Sequence, residues 1–378
     1  MLFAICKQSR NEMQCVLSEQ SSQAHPISKP MHLKADWHSP TKAPTRQRYS
    51  RPSALGPHNL SQPKMANTFL LVGSLASIVF FLVVAKVAAV TGAGLLPFPE
   101  LGALGFDIFT RPTGAWAQAP LLVIATPTAA AVVGTLVTKT MAYGIASITL
   151  CIAGAMIIIR LLRSPVTPAL SAALLPLSLS IASWWYPAAI FATTGCLTLL
   201  STAYNRRWAS QIRSMQPSVT DAQDDEMERP PRQYAWLPVF VGFLLVTYGI
   251  SRITGLRLVL FPPLVAIAFE MFAHAEVCPW AKRPFALPAA CTITAAAGVE
   301  SIIIFGTGTA SIATAMLAGI VTLRMFRVHL PPALAICLLP QMITDVDWQF
   351  VYGIAIGTVT LTGVFLLARS RLWIAAPV

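Results

Sequence analysis

Charge is scarce in this chain. Of its 378 residues only 11% are Asp, Glu, Lys or Arg, 55% are hydrophobic, and the mean hydropathy is +0.63. A soluble chain of this length needs more charge to cover its surface, so that class is excluded. Runs such as Phe69–Lys86 and Thr149–Ile159 carry almost no charge and read as membrane segments. Cysteine pairing signals are also missing. The seven cysteines lie scattered, with no CxxC pair and no Cys/His cluster, which argues against a disulfide framework or a metal site and leaves small apolar residues within helices. There is no nucleophile–base pair and no Gly-rich phosphate loop. Gly306-x-Gly308 lies between hydrophobic segments and reads as a tight turn. The expectation is therefore a membrane protein in a lipid bilayer that is not an enzyme, with no cofactor, no metal and no nucleic-acid partner.

What is present is an apolar plan written twice. Thr91–Phe106 reads TGAGLLPFPELGALGF, and Thr254–Phe269, 163 residues later, reads TGLRLVLFPPLVAIAF, with eight of 16 positions identical. After one inserted residue the match resumes at an offset of 164. Trp116-Ala117-x-x-Pro120 returns as Trp280-Ala281-x-x-Pro284, Gly134 as Gly298, and Arg160-x-x-Arg163 as Arg324-x-x-Arg327. Pro168-Ala169-Leu170 returns as Pro332-Ala333-Leu334, and Trp184 as Trp348. Two similar halves of apolar segments broken by Pro and Gly are a common transporter plan.

Four regions follow: a basic segment 1–65, a first transmembrane repeat 66–204, a linker 205–234 and a second repeat 235–378. Residues 1–65 hold nine Lys/Arg against three acids and lack apolar periodicity, so they are expected to be disordered. Three origins stay open for them: a targeting peptide, a basic tail near anionic lipid, or an extension upstream of a start at Met65. The location expected is the cell's inner (plasma) membrane, or a plastid envelope if 1–65 is a targeting peptide. The linker carries five acids, five arginines and Pro230-Pro231 and reads as solvated.

Each repeat contains six apolar segments, at about 68–90, 95–110, 119–138, 141–159, 166–182 and 186–204, then 235–253, 258–273, 285–302, 306–323, 330–343 and 349–368. The second and fifth of each set are short and led by proline. At 1.5 Å per residue, 12 helical residues reach about half of a hydrocarbon core about 30 Å thick. Pro99, Pro168, Pro262–Pro263 and Pro331–Pro332 suit a first helical turn, where no N–H is needed. The fold class predicted is an all-α polytopic transmembrane bundle of two parallel tandem repeats with Pro-led half-helices. If all six segments cross and the N-terminus is cytoplasmic, Arg111, Arg160, Arg163 and Arg206–Arg207 fall inside with Lys282–Arg283, Arg324, Arg327, Arg369 and Arg371, which satisfies the positive-inside rule. The half-helix N-termini then converge near the midplane, where free N–H groups and positive dipole ends make an anion site. The candidate binding residues are Pro99, Glu100, Leu101 and Gly102; Thr167, Pro168 and Ala169; Pro262, Pro263 and Ala266; and Pro331, Pro332 and Ala333.

Arg327-Val328-His329-Leu330-Pro331-Pro332-Ala333 resembles the hallmark of the HPP integral membrane family, roughly T-x-H-P-P-A-G-A. Phe261-Pro262-Pro263-Leu264-Val265-Ala266 looks like that family's P-P-x-G-A-S stretch, and Cys278-Pro279-Trp280-Ala281-Lys282-Arg283-Pro284 resembles its S-P-L-A-Q-P-R turn. Leu101-Gly102-Ala103 and Trp116-Ala117-Gln118 are the first repeat's share, so the resemblance covers about 90–205 and 255–370. Leu330 is inserted before the Pro pair, the family glycine is Leu334, and the first repeat, Ser164-Pro165-Val166-Thr167-Pro168-Ala169, has no histidine. The resemblance implies transport of a small inorganic anion, nitrite-like by analogy with the plant members. The fused repeats imply that one chain is a pseudo-dimer. The alternative is a non-transporting membrane interaction or sensory protein.

The remaining ionisable residues have plain readings beside functional ones. Asp107 and Glu270 occupy equivalent positions and read first as solvated ion pairs with Arg111 and Lys282–Arg283. Glu100 sits in a first turn, where a carboxylate is favoured by the dipole but opposes an anion. Glu300 lies inside an apolar helix and is a candidate proton or cation site. His329 is a candidate because histidine changes charge near neutral pH, against a plain interfacial histidine. The paired arginines read first as topology anchors, and Thr126, Thr128 and Thr292 as bonding back to their own helices.

Overall fold

The computed structural model describes residues 61–214, 219–229, 231 and 234–372. The expectations for residues 1–60 lie outside these. The described residues form helices and no strands. In the first half they are α1 (Ser61–Thr91), α2 (Pro99–Thr110), α3 (Pro120–Thr140), α4 (Ile145–Leu162), α5 (Ala169–Leu179) and α6 (Trp185–Arg207). Between the halves lie α7 (Ala209–Ser214) and α8 (Val219–Met227). The second half holds α9 (Leu237–Thr254), α10 (Pro262–Ala273), the single turn α11 (Pro279–Lys282), α12 (Ala286–Phe305), α13 (Thr309–Phe326), α14 (Pro332–Leu338) and α15 (Trp348–Leu372). Every apolar segment of the sequence is a helix. The first is already helical at Ser61, ahead of its apolar run.

Seven of these helices, α1, α3, α4, α9, α12, α13 and α15, are long and apolar enough to cross a membrane. The surface shows why that is their setting. Leu75, Val79 and Val83, one turn apart on α1, are all exposed, as are Ile303, Ile304 and Phe305 on α12, whereas Glu100, Asp107 and Glu270 are buried. Apolar outside and ionisable inside is the inverse of a water-soluble fold. The chain is an integral membrane protein built as a polytopic helical bundle.

Local sequence sets the helix ends. Phe98 and Phe261, each before a proline, are extended (φ −63°, ψ 142° and φ −79°, ψ 150°), so α2 and α10 begin at that proline. Pro168 and Pro331 instead occupy the cap position itself. Arg163 and Arg327 close α4 and α13 in the left-handed region, at φ 50° and 52°. In each case the N–H of the next residue reaches back to close the last turn, Ser164 to Ile159 O (2.9 Å) and Val328 to Leu323 O (3.1 Å).

The short helices form the centre. Every residue of α2 and α14 is buried, as are Ala169–Ser178 of α5 and Pro262–Phe272 of α10. Around them α3 packs on α4, α5 and α6, and α12 packs on α13, α14 and α15. Glycine makes two of these approaches possible: a side chain at Gly134 would strike the Ala173 carbonyl, and one at Gly298 the Cys337 carbonyl. The halves interlock through the short helices, α2 lying on α14 and α10 on α5.

One end of the bundle gathers the start of α1, the ends of α2, α4 and α6, and the linker. There Phe69 meets Trp208 (5.7 Å between ring centres), Trp116 Nε1 donates to Pro165 O (2.9 Å), and the Ala115 N–H donates to Asp225 (3.2 Å). At the other end Arg257 donates to Leu177 O (2.6 Å) and lies over the Tyr143 ring. This division groups Arg111, Arg160, Arg163, Arg206 and Arg207 at the linker end, the grouping on which the positive-inside argument was built.

Candidate functional site

At the linker end the last turn of α2 carries Asp107, and Arg111 follows as its cap residue. The i, i+4 spacing lets Arg111 Nη1 donate to Asp107 Oδ1 at 3.0 Å. The segment leading into α14 brings His329 from the other half: its Nε2 donates to the same Oδ1 at 2.8 Å, and its ring stacks on Phe106. Helix α8 completes the cluster. It carries Asp224 and Asp225, Glu228 follows directly after its end, and Arg111 donates to Asp225 Oδ1 (2.7 Å) and to Glu228 Oε1 (2.9 Å). Reciprocally, Thr167, at the entry to α5, donates to Glu270 near the end of α10. Each half thus reaches the other's buried acid with a polar side chain placed just before a short helix.

The cluster is acidic. Among the described residues Asp107, Asp224, Glu228 and Glu270 are buried, and Asp225 is half-buried, beside Arg111 and His329. Burial raises the pKa of Glu228 well above the ordinary carboxylate value, the charge of Asp107 adds to this, and Arg111 opposes it. His329, just before α14, is what ties the start of that helix to Asp107.

Several expectations need correction. Asp107 forms its ion pair with Arg111, but the pair is buried rather than solvated. Glu270 bonds to Thr167; the expected ion pair with Lys282–Arg283 is not found among the described contacts. The linker is not merely solvated, since Asp224, Met227 and Glu228 are buried. In sequence it looks hydrophilic; docking on Arg111 is what removes it from water. Thr126 bonds across to Ser164 (2.7 Å) rather than back to its own helix.

Of the candidate residues, Thr167 and His329 enter this cluster. Pro168 and Ala169 follow Thr167 into α5, and Pro331, Pro332 and Ala333 follow His329 into α14, all buried. Pro99, Glu100, Leu101 and Gly102 open α2 and are buried at its opposite end, where Gly102 abuts Leu338 at the end of α14. Neither oxygen of Glu100 has a hydrogen-bond partner among the described residues. Pro262, Pro263 and Ala266 are likewise buried at the start of α10. Glu300 is exposed on α12 and stands apart from the others. The four N-termini therefore do not converge at mid-depth. α2 runs antiparallel to α14 and α10 antiparallel to α5, so each N-terminus lies beside its neighbour's C-terminus. Length and proline position describe half-helices, but side-by-side packing across the halves sets their depth. The signal in sequence for the cluster was the matched placing of Asp107 and Glu270, together with the Asp224–Asp225–Glu228 spacing in the linker.

No family model matches the chain, and no curated protein or solved structure matches it either. Fold and site together define a polytopic helical membrane protein with a buried ionic cluster where its two halves meet.

Proposed function

We propose that the chain is a secondary transporter that carries a small inorganic anion together with a proton, its two halves acting as a pseudo-dimer. The observation that carries this reading is the reciprocal pairing of His329 with Asp107 and of Thr167 with Glu270 across the junction of the halves. Ionisable groups inside a membrane bundle are costly and mark ion and proton pathways. In this reading the Asp107–His329 pair is the proton site, and His329 and Thr167 set the two buried acids beside the starts of α14 and α5. In this mechanism a proton on the pair cancels the negative charge beside the start of α14. A small anion is then tolerated there, and both are released when the halves rock apart on the other side. The likeness of His329–Ala333 to the HPP hallmark supports the anion and points to a nitrite-like one. The linker end is the cytoplasmic end in this reading, and the membrane is the plasma membrane.

The test is uptake of nitrite, nitrate and chloride by proteoliposomes holding the full chain, with and without an acid-outside gradient. Uptake should rise with the gradient, and Asp107→Asn should abolish that dependence. Anion flux indifferent to the gradient removes the proton role. Uptake of sodium or potassium instead, as the acidic lining alone would favour, overturns the anion assignment.

A further inference from the structure

The two seams between the halves differ where the sequence repeat would make them alike. At one seam α1 packs on α13, and Arg324 Nη2, in the last turn of α13, donates to Ser74 Oγ of α1 at 3.2 Å. At the matching place α4 and α9 are parted by an apolar groove of about 360 Å³, floored by Phe240 and Phe269 and walled by Ile152, Met156 and Val241. Arg160, the sequence counterpart of Arg324, stands at the groove's linker end rather than bonding to a neighbouring transmembrane helix.

We propose that this groove holds one acyl chain of an acidic phospholipid, with the lipid phosphate at Arg160. Three observations lead there. First, α4 and α9 are both long and apolar enough to cross a membrane, and Ile157 and Val241 are exposed at the groove's edge, so it opens onto hydrocarbon. A void there forfeits dispersion contacts on one side, and a lipid chain is what the surroundings supply. Second, the lining spans Thr149 to Arg160, about 16 Å of helix, which suits an extended chain lying along α4. Third, the charge is at one end. The Arg160 guanidinium lies 5.1 Å from the centre of the Tyr234 ring and donates to its hydroxyl, and the exposed Arg163 follows one turn on. The Tyr234 contact orients a group with five N–H donors, which suits it to a phosphate. By the positive-inside argument this end faces the cytoplasmic leaflet, where anionic lipid is found.

The test uses the full chain in detergent with phosphatidylglycerol or phosphatidylcholine, retention being read by native mass spectrometry. One phosphatidylglycerol per chain should be retained preferentially. Arg160→Gln should cut that preference about fivefold, the effect of one basic residue at an anionic surface, while Arg206→Gln leaves it intact. Ala153→Trp, which fills the groove, should abolish retention of both lipids. A phosphatidylglycerol with a photoreactive acyl chain, applied to the unaltered protein, should label α4 between residues 149 and 160 and α9 between 237 and 244. Equal retention of the two lipids, an unchanged preference in Arg160→Gln, or labelling spread evenly over all outward-facing helices each overturns the proposal. So does evidence that the groove is filled by a second copy or by residues 1–60 of the same chain.

Discussion

Replacing Arg111 with Met should be among the most damaging single changes at the linker end. Arg111 is 6% exposed and serves at least three carboxylates, Asp107 at 3.0 Å, Asp225 at 2.7 Å and Glu228 at 2.9 Å. Asp225 is 33% exposed, so its share is that of a surface pair, about 0–1 kcal/mol. Asp107 and Glu228 are 0% and 4% exposed, and losing their common cation leaves buried charge uncompensated, a loss of about 3–5 kcal/mol. At neutral pH the unfolding midpoint in detergent should fall by roughly 5 °C. The deficit should shrink in acid, because a carboxyl group that keeps its proton has no charge to leave unmatched. Adding Asp107→Asn and Glu228→Gln to Arg111→Met should restore most of the loss, since the three act as one unit. A fall of less than ~1 kcal/mol in the single variant, or no recovery in the triple, would show that this cluster is not a coupled buried unit.

Other consequences follow from the same geometry. Docking of α8 should be tighter in acid. Glu228 has a raised pKa when docked, so docking favours its protonated form, and this contribution fades as pH rises from the ordinary carboxylate range through the raised value. Hydrogen exchange at residues 219–229, corrected for intrinsic rate, should therefore quicken with rising pH, and a flat profile would contradict the assignment. Gly134→Ala and Gly298→Ala should each cost about 1–3 kcal/mol by overpacking, whereas Gly195→Ala and Gly242→Ala, with open space beside them, should be close to neutral in thermal unfolding. Ala333→Ser should keep anion uptake and Ala333→Asp should abolish it. If Ala333→Asp inserts normally and transports at the original rate, the start of α14 does not face the anion.

The helices were legible in the chain itself. Scarce charge and long apolar runs leave a helical membrane bundle as the economical solution, because in hydrocarbon every backbone polar group must be satisfied within its own segment. Proline placed the starts of α2 and α10 to the residue, since it acts locally through φ and the conformation of the residue before it. The matched positions of Asp107 and Glu270 were visible too. Their environment was not, because burial depends on neighbours that are distant in sequence. His329 lies 222 positions from Asp107, and Glu228 lies 117 from Arg111. Nothing local shows that α2 packs on α14 rather than meeting α5 end to end, or that a hydrophilic linker folds back to clasp an arginine. Nor does similarity of sequence show that one seam between the halves closes α1 onto α13 while the other leaves a groove between α4 and α9. Local chemistry determined which segments are helices and where they begin, while the antiparallel pairing of the short helices, a property of the packed whole, decided which charges share one buried site.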